Sequence, residues 1–245
     1  MLEVVDVGKI YPGGTEALRA ARLRVDAGEF VCLIGASGCG KSTLLRLVAG
    51  FETPTAGHVL MRGKPVSGPG PDRGMVFQDY GLFPWLTVMG NVGFGPRARG
   101  LPASEVAARA RRFVTMVGLD RFALAYPHQL SGGMKQRVAI ARVLANDAAL
   151  VLMDEPFGAL DAMSRERLQT ELLQLWAETR LTIVFVTHSI EEALLLADRV
   201  VLMSPGPGRI IGETALTLPR PRDVASPEFN ALRRQLTQAL HGSGA

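Results

Sequence analysis

A chain of 245 residues is long enough to bury a sizeable core, as one large α/β domain or two small ones. With 47% hydrophobic and 20% charged residues it has the ordinary balance of a globular protein. The net charge of +4 permits a nucleic-acid or anionic-lipid partner without requiring one.

The opening MLEVVDVGKIY carries Glu3 and Asp6 and does not have the pattern of a secretory signal. Short alternating segments and the turn Pro12-Gly13-Gly14 then predict a small antiparallel sheet up to about Glu29. Phe30–Ile34 reads as a buried strand, followed by a Gly-rich turn. A helix is expected over Lys41–Ala49, with Leu44, Leu45 and Val48 on one face and Gly50 as its stop. From about Thr87 to Asn146 strand signals are few and helical ones several, Ser104–Val117 among them, so a helical insertion is expected over residues 87–146. Leu150–Met153 and Ile183–Val186 read as parallel strands covered on both faces. A helix over Ile190–Ala197 and a hairpin, Val200–Met203 to Ile210–Ile211 across SPGPG, complete an α/β core. The division predicted is one domain over 1–218 and a C-terminal segment over 219–245. That segment holds Pro219, Pro221 and a short helix near Glu228–Leu240, with surface packing as its default role.

Phe30–Ile34 and Ala148–Met153 fall far short of the roughly 20 apolar residues that span a bilayer. A soluble or peripheral protein is expected, one whose membrane work needs a partner chain. Cys32 and Cys39 form no disulfide framework and read as reduced thiols of a cytosolic protein.

The stretch GASGCGKST (Gly35, Ala36, Ser37, Gly38, Cys39, Gly40, Lys41, Ser42, Thr43) fits the P-loop pattern, after a strand and opening a helix. The glycines let the backbone wrap a phosphate chain, and the loop and helix amides point at the anion. Lys41 adds a positive charge near the β- and γ-phosphates, and the Ser42 hydroxyl is placed to ligate Mg²⁺. ATP and Mg²⁺ are therefore the expected cofactors. Asp154 and Glu155 follow the Leu150–Met153 run at the strand end where α/β proteins bind ligands. Asp154 would hold Mg²⁺ through water, and Glu155 would polarise the attacking water.

LSGGMKQR (Leu130–Arg137) resembles the signature of the ATP-binding cassette (ABC) family, departing from its commonest form at Met134. Ser131 is a good N-cap, and Gly132 and Gly133 permit close approach. The resemblance implies a P-loop NTPase (RecA-like) core with an N-terminal antiparallel β subdomain and an inserted helical subdomain. It implies that the signature turn faces the γ-phosphate held by the opposite subunit. It also places Gln78 at Mg²⁺ and the attacking water, His188 at the γ-phosphate, Asp161 across the dimer and Tyr11 on adenine. The plainer alternatives are a satisfied surface histidine and a packing tyrosine. The family pattern further has Ser in many members where this chain has Gly158.

A competent site in this family needs two chains head to tail, so a second, identical ATP-binding subunit is expected. FGALDAMSR, THSIEEALLLADRVVLMSPGPGRI and LPRPRDVASPEF look most like the nitrate/sulfonate/taurine importer branch. That likeness implies permease partners, an indirect link to a periplasmic binding protein, and a place on the cytoplasmic face of the bacterial inner membrane. Sulfonate is the first expectation, then nitrate or taurine, with a neutral solute such as a vitamin precursor left open. The apolar loop Tyr80, Leu82, Phe83, Pro84, Trp85, Leu86 reads as a groove for a membrane subunit, or else as packing beneath the helical insertion. The rival class is an ABC ATPase acting on DNA or ribosomes. It would carry a long coiled-coil insertion or two cassettes, neither of which is present. No nucleic-acid partner is expected, because Arg97–Arg112 lacks interleaved aromatics.

Overall fold

The computed structural model describes residues 1–158 and 160–242. Ala159, inside the FGALDAM stretch, and residues 243–245 of the C-terminal segment lie outside the described residues. The chain divides into two units, one of residues 1–69 with 175–245 and one of residues 70–174.

The first unit opens with β1 (Leu2–Ile10), antiparallel to β2 (Glu16–Val25). In β2 the buried Ala21, Leu23 and Val25 alternate with exposed Arg22 and Arg24, the period-2 signature of a sheet with one dry face. β3 (Phe30–Gly35) is buried at every position, as a continuous apolar run requires. The helix α1 (Lys41–Ala49) buries Leu44, Leu45, Leu47 and Val48 and stops on Gly50, whose φ of 81° only glycine adopts at low cost. β4 (Ala56–Met61) and β5 (Lys64–Pro65) complete a four-stranded antiparallel sheet of order β2-β1-β4-β5.

The second unit begins with β6 (Arg73–Val76), a strand too short and too broken by Arg73 and Gly74 to be legible in the sequence. The helices α2 (Val88–Val92), α3 (Phe94–Ala98), α4 (Ala103–Met116) and α5 (Gly132–Leu144) follow. Val88, Val92, Ala110, Val114, Leu130, Val138 and Ala141 form their common core. β7 (Leu150–Asp154) runs parallel to β6. α5 crosses β6 at a glycine, where a Cβ on Gly74 would sit 2.0 Å from Val143 Cγ1. α6 (Ala162–Thr179) leads out of this unit; only Leu168, Gln169, Leu172 and Trp176 along it are buried. A stripe that narrow is hard to see in sequence.

Back in the first unit come β8 (Thr182–Thr187), α7 (Ile190–Leu196), β9 (Arg199–Met203), β10 (Ile210–Ala215) and α8 (Pro227–Gly242). β8 and β9 flank β3 in parallel, and β10 closes the antiparallel hairpin with β9. In the C-terminal segment Phe229 and Leu236 of α8 are fully buried, and α8 packs on α7. Its apolar stripe needs a partner face, and α7 supplies it.

Candidate nucleotide-binding site

Strand register decides which loops meet. In the first unit Ile34 of β3 pairs with Thr187 of β8, and Gly35 with Met203 of β9. The loop after Gly35 and the residue after Thr187, His188, therefore leave the sheet at one edge, the carboxyl edge where α/β proteins bind ligands.

The loop is held by its glycines. Gly38 and Gly40 have φ of 76° and 93°, values costly for any side chain. A Cβ on Gly35 would lie 2.8 Å from Cys39 Sγ and 2.9 Å from the Met203 carbonyl oxygen. One on Gly40 would lie 2.7 Å from the Ala17 carbonyl. Cys39 is buried as the anchor, while Ala36, Ser37 and Gly38 face outward. The first amides of α1 have no intrahelical acceptor, so with Ser37 and Gly38 they make a curved row of donors at the positive end of a helix. Lys41 is 5% exposed, and its Nζ donates to the carbonyls of Gly35 at 2.8 Å and Ala36 at 3.0 Å. The ammonium is thus held over the loop. Ser42 and Thr43 are half-buried in the first turn.

Tyr11 is half-buried beside this helix. Its hydroxyl donates to Glu52 Oε1 at 3.1 Å and lies 3.2 Å from Thr43 Oγ1, while Lys9 Nζ stands 5.1 Å from the ring centroid. The first unit therefore brings together Tyr11, the whole Gly35–Thr43 loop and the strand end carrying exposed His188.

In the second unit Val76 of β6 pairs with Met153 of β7, so Gln78 and the pair Asp154 and Glu155 emerge at one strand edge. Both carboxylates are half-buried. Glu155 has φ of 44°, a left-handed conformation that costs a non-glycine residue about 1–2 kcal/mol. Such strain is characteristic of residues whose aim matters more than their comfort. The turn closes where the Gly158 N–H donates to the Glu155 carbonyl at 3.1 Å. A Cβ on Gly158 would stand 3.4 Å from that carbonyl oxygen and 3.7 Å from Gln78 Nε2, so the serine common in this family would fit.

Ser131 caps α5 by accepting from the Met134 N–H at 3.3 Å. Gly132 and Gly133 form the first turn, and a Cβ on Gly132 would lie 3.1 Å from Tyr80 Oη and 3.2 Å from Leu160 Cδ2. Asp161 is exposed, and its carboxylate accepts from the Ser164 N–H at 3.0 Å, which caps α6 and holds its pKa below the usual carboxylate range. Ser131→Ala is expected to lose about 1 kcal/mol of stability through the lost cap, seen as a lower thermal midpoint with the helix content retained.

Two residues of this unit, Asn91 and Arg142, were missed by sequence reasoning. Asn91 is fully buried, and its side-chain oxygen accepts from the Phe83 N–H at 2.8 Å. Its amide nitrogen donates to the carbonyls of Phe83, Leu86 and Thr87 at 3.1, 3.0 and 3.1 Å. This one side chain shapes the apolar loop. Trp85 is left 69% exposed, 5.6 Å from the Phe83 ring, which in turn lies 4.3 Å from Phe94. Leu82, by contrast, packs on the helical core. Arg142 of α5 donates to the carbonyls of Gly81 at 2.5 Å and Tyr80 at 3.2 Å, and burial pulls its guanidinium pKa down. Tyr80, left-handed at φ 66°, turns its hydroxyl to Gly132. An asparagine in the apolar stretch Val88–Val92 was the one available signal, since a buried amide must find partners.

A strand, a glycine loop and a helix, with a lysine clamped over the loop and an acidic pair ending a buried strand, define a P-loop ATPase. The chain belongs to the ABC transporter family, whose model matches residues 18–158. It is similar to the nitrate import ATP-binding protein NrtD of Synechocystis, 46% identical over 253 residues, covering 98% of this chain and 95% of that protein. It is also similar to the taurine import ATP-binding protein TauB of Chromobacterium violaceum, 50% identical over 240 residues, covering 92% and 90%. Among solved structures it resembles an ATP-binding cassette in a dimeric post-hydrolysis state with ADP and Pi. That match has a TM-score of 0.77 and 34% identity and covers 89% of this chain and all of the other. The chain is thus an ATP-binding and hydrolysing ABC subunit with the predicted mixed α/β cassette fold.

Proposed function

We propose that this chain is the ATPase of an importer for a small, anionic solute of the sulfonate, nitrate or taurine type. The similarity to the nitrate and taurine import proteins over nearly the full chain carries the reading. The same two relatives argue against the rival DNA- or ribosome-directed ABC ATPase, and so does the short helical stretch Val88–Leu144. No described helix is long and apolar enough to cross a membrane. As an importer subunit like these relatives, the chain would act from the cytoplasmic face of the inner membrane, through permease subunits fed by a periplasmic binding protein. The domain division that goes with this reading is 1–218, with the helical insertion over about 87–146, and 219–245.

In this role the loop amides and Lys41 hold the phosphates, with Tyr11 against the adenine. Among the described residues no cluster of three or more His, Cys, Asp or Glu makes an all-protein metal cage. That suits Mg²⁺, which is commonly bound by one or two carboxylates plus phosphates. Asp154, Ser42 and Gln78 would hold it, and the bound ion neutralises phosphate charge. Glu155 takes the proton from the attacking water, and His188 donates to the γ-phosphate. A second copy contributes Ser131–Gly133 and Asp161, so ATP binds the closed dimer more tightly than the open one, and hydrolysis releases it.

The cluster of half-buried Phe83 with exposed Trp85 and Phe94 is the docking surface for the permease. Aromatic anchors of this kind often carry 2 kcal/mol or more of an interface, about 30-fold in affinity each. Phe83→Ala with Trp85→Ala is expected to leave the isolated chain folded and its basal ATPase unchanged. Co-purification with co-expressed membrane subunits should be lost. Intact complex and intact transport would overturn the docking assignment.

A further inference from the structure

The stretch LPRPRD is not used by the nucleotide reading, yet it is folded against α7, the helix that follows His188. At the N-terminal end of α7, Thr187 Oγ1 donates to the buried Glu192 Oε2 at 2.5 Å. The Ser189 N–H donates to Thr187 Oγ1 at 3.0 Å, and the Glu192 N–H to Ser189 Oγ at 3.2 Å. The neighbours of His188 on both sides are thereby pinned to the first turn. His188 is exposed and stands between the end of β8 and Ser189, the cap of α7, so the course of the backbone into α7 bears on its aim.

The C-terminal end of α7 lacks the usual closure. Its cap, Ala197, is extended at φ −79° and ψ 156°, with no left-handed glycine to satisfy the last carbonyls. Two arginines replace it. Arg222 donates to the carbonyls of Leu194 at 2.5 Å and Ala197 at 2.7 Å, and its Nε to Leu218 at 2.9 Å. Arg220 donates to the Leu196 carbonyl at 2.5 Å and to Asp198 Oδ1 at 2.7 Å, and lies 4.6 Å over the Trp176 ring. Asp198 Oδ2 in turn accepts from the Phe30 N–H at 2.9 Å, at the start of the strand that ends in Gly35. Pro219 and Pro221 restrict the backbone between the two clamps. Burial, with the Arg220 charge second, pulls the Arg222 guanidinium down to about 10. A cation kept at that cost must be held by the helix carbonyls and by the negative end of the helix dipole.

A seven-residue helix is not stable alone and takes its orientation from what holds it: the buried Ala193, Leu194 and Leu196 at its inner face, and the two arginines at its last carbonyls. We propose that Arg220 and Arg222 are positioning residues for His188: they fix the C-terminal end of α7, and so the direction in which His188 leaves β8. The inference rests on His188 serving the γ-phosphate. It makes the C-terminal segment part of the hydrolytic apparatus.

The test is a double-mutant cycle on the purified full chain, with single-turnover ATP hydrolysis as readout. Arg222→Met and Arg220→Met are each made alone and combined with His188→Ala. Each single arginine variant is expected to lower kcat about tenfold with KM for ATP unchanged, since the phosphate loop is untouched. Arg222→Lys should recover most of that loss, because one ammonium still reaches the carbonyls. In the His188→Ala background the arginine variants should change the rate less than about twofold. Equal losses in both backgrounds would mean a merely structural segment and would overturn the proposal. Unchanged rates in both single arginine variants would overturn it too. If His188→Ala itself hydrolyses at the parent rate, the histidine assignment fails and the inference falls with it. Should Arg222→Met fail to fold, Arg220→Met decides by the same comparison.

Discussion

Glu155→Gln is expected to lower ATP turnover by about 10²–10⁴-fold, the range for removal of a general base. The exchange is isosteric, so the half-buried side chain keeps its place at the end of β7. The left-handed backbone at φ 44° is no worse for glutamine than for glutamate. What is lost is the capacity to accept a proton from water, because an amide oxygen is a far weaker base than a carboxylate. Nucleotide binding depends on the Gly35–Thr43 loop and should survive. ATP then closes the dimer and cannot be cleared from it, so a dimer should accumulate in ATP and not in ADP. Phosphate release measures the first effect, and size-exclusion chromatography with each nucleotide measures the second. Parent-level turnover in the variant would remove Glu155 from the chemistry.

Lys41→Met is expected to lower ATP affinity and turnover by about 10²–10³-fold, the cost of deleting one preorganised donor to phosphate charge. Methionine keeps the buried stem of a residue only 5% exposed and removes the ammonium. The carbonyls of Gly35 and Ala36 lose their donor at 2.8 and 3.0 Å, but the outer loop is exposed and water can replace it. Circular dichroism should therefore be unchanged while titration with a fluorescent ATP analogue shows the lost affinity. Lys41→Arg is no rescue, since a planar fork does not fit a point-charge position under a tight loop. Tight binding by Lys41→Met would contradict the cradle.

These two effects differ in kind, and the difference follows from where each residue stands. On the proposed reading Lys41 would act on binding, because the loop geometry holds its charge over the phosphate path. Glu155 would act on the chemical step, because a strained turn at a strand end aims it. Arg220 and Arg222 would act on the chemical step at a distance, through the helix whose last carbonyls they hold.

Local sequence was enough wherever a short stretch carries its own physics. GASGCGKST announces a phosphate loop, because glycine spacing and a lysine at the helix start serve little else. The helix ending at Gly50, the strands Phe30–Gly35 and Thr182–Thr187, and the β9–β10 hairpin were readable from apolar runs and turn residues within a few positions. Ser131 was legible as a cap because a serine before two glycines and an apolar stripe has one economical use. β6 and α6 were not, since a four-residue strand and a helix with few buried positions leave little periodicity to read.

Only the tertiary structure decided the long-range pairings. Asn91 looked like a polar residue in an apolar helix, and its four bonds to the Phe83–Thr87 backbone appear only once the chain has turned back. In the sequence Arg220 and Arg222 stand only beside Pro219 and Pro221. Their partners Leu194, Leu196 and Ala197 lie more than twenty residues earlier, and no periodicity links them. The sequence by itself determined what binds, because a phosphate cradle is local backbone geometry. How the residues around it are held and aimed was decided by the fold, because a buried amide or guanidinium takes its partners from whatever segment packing brings near.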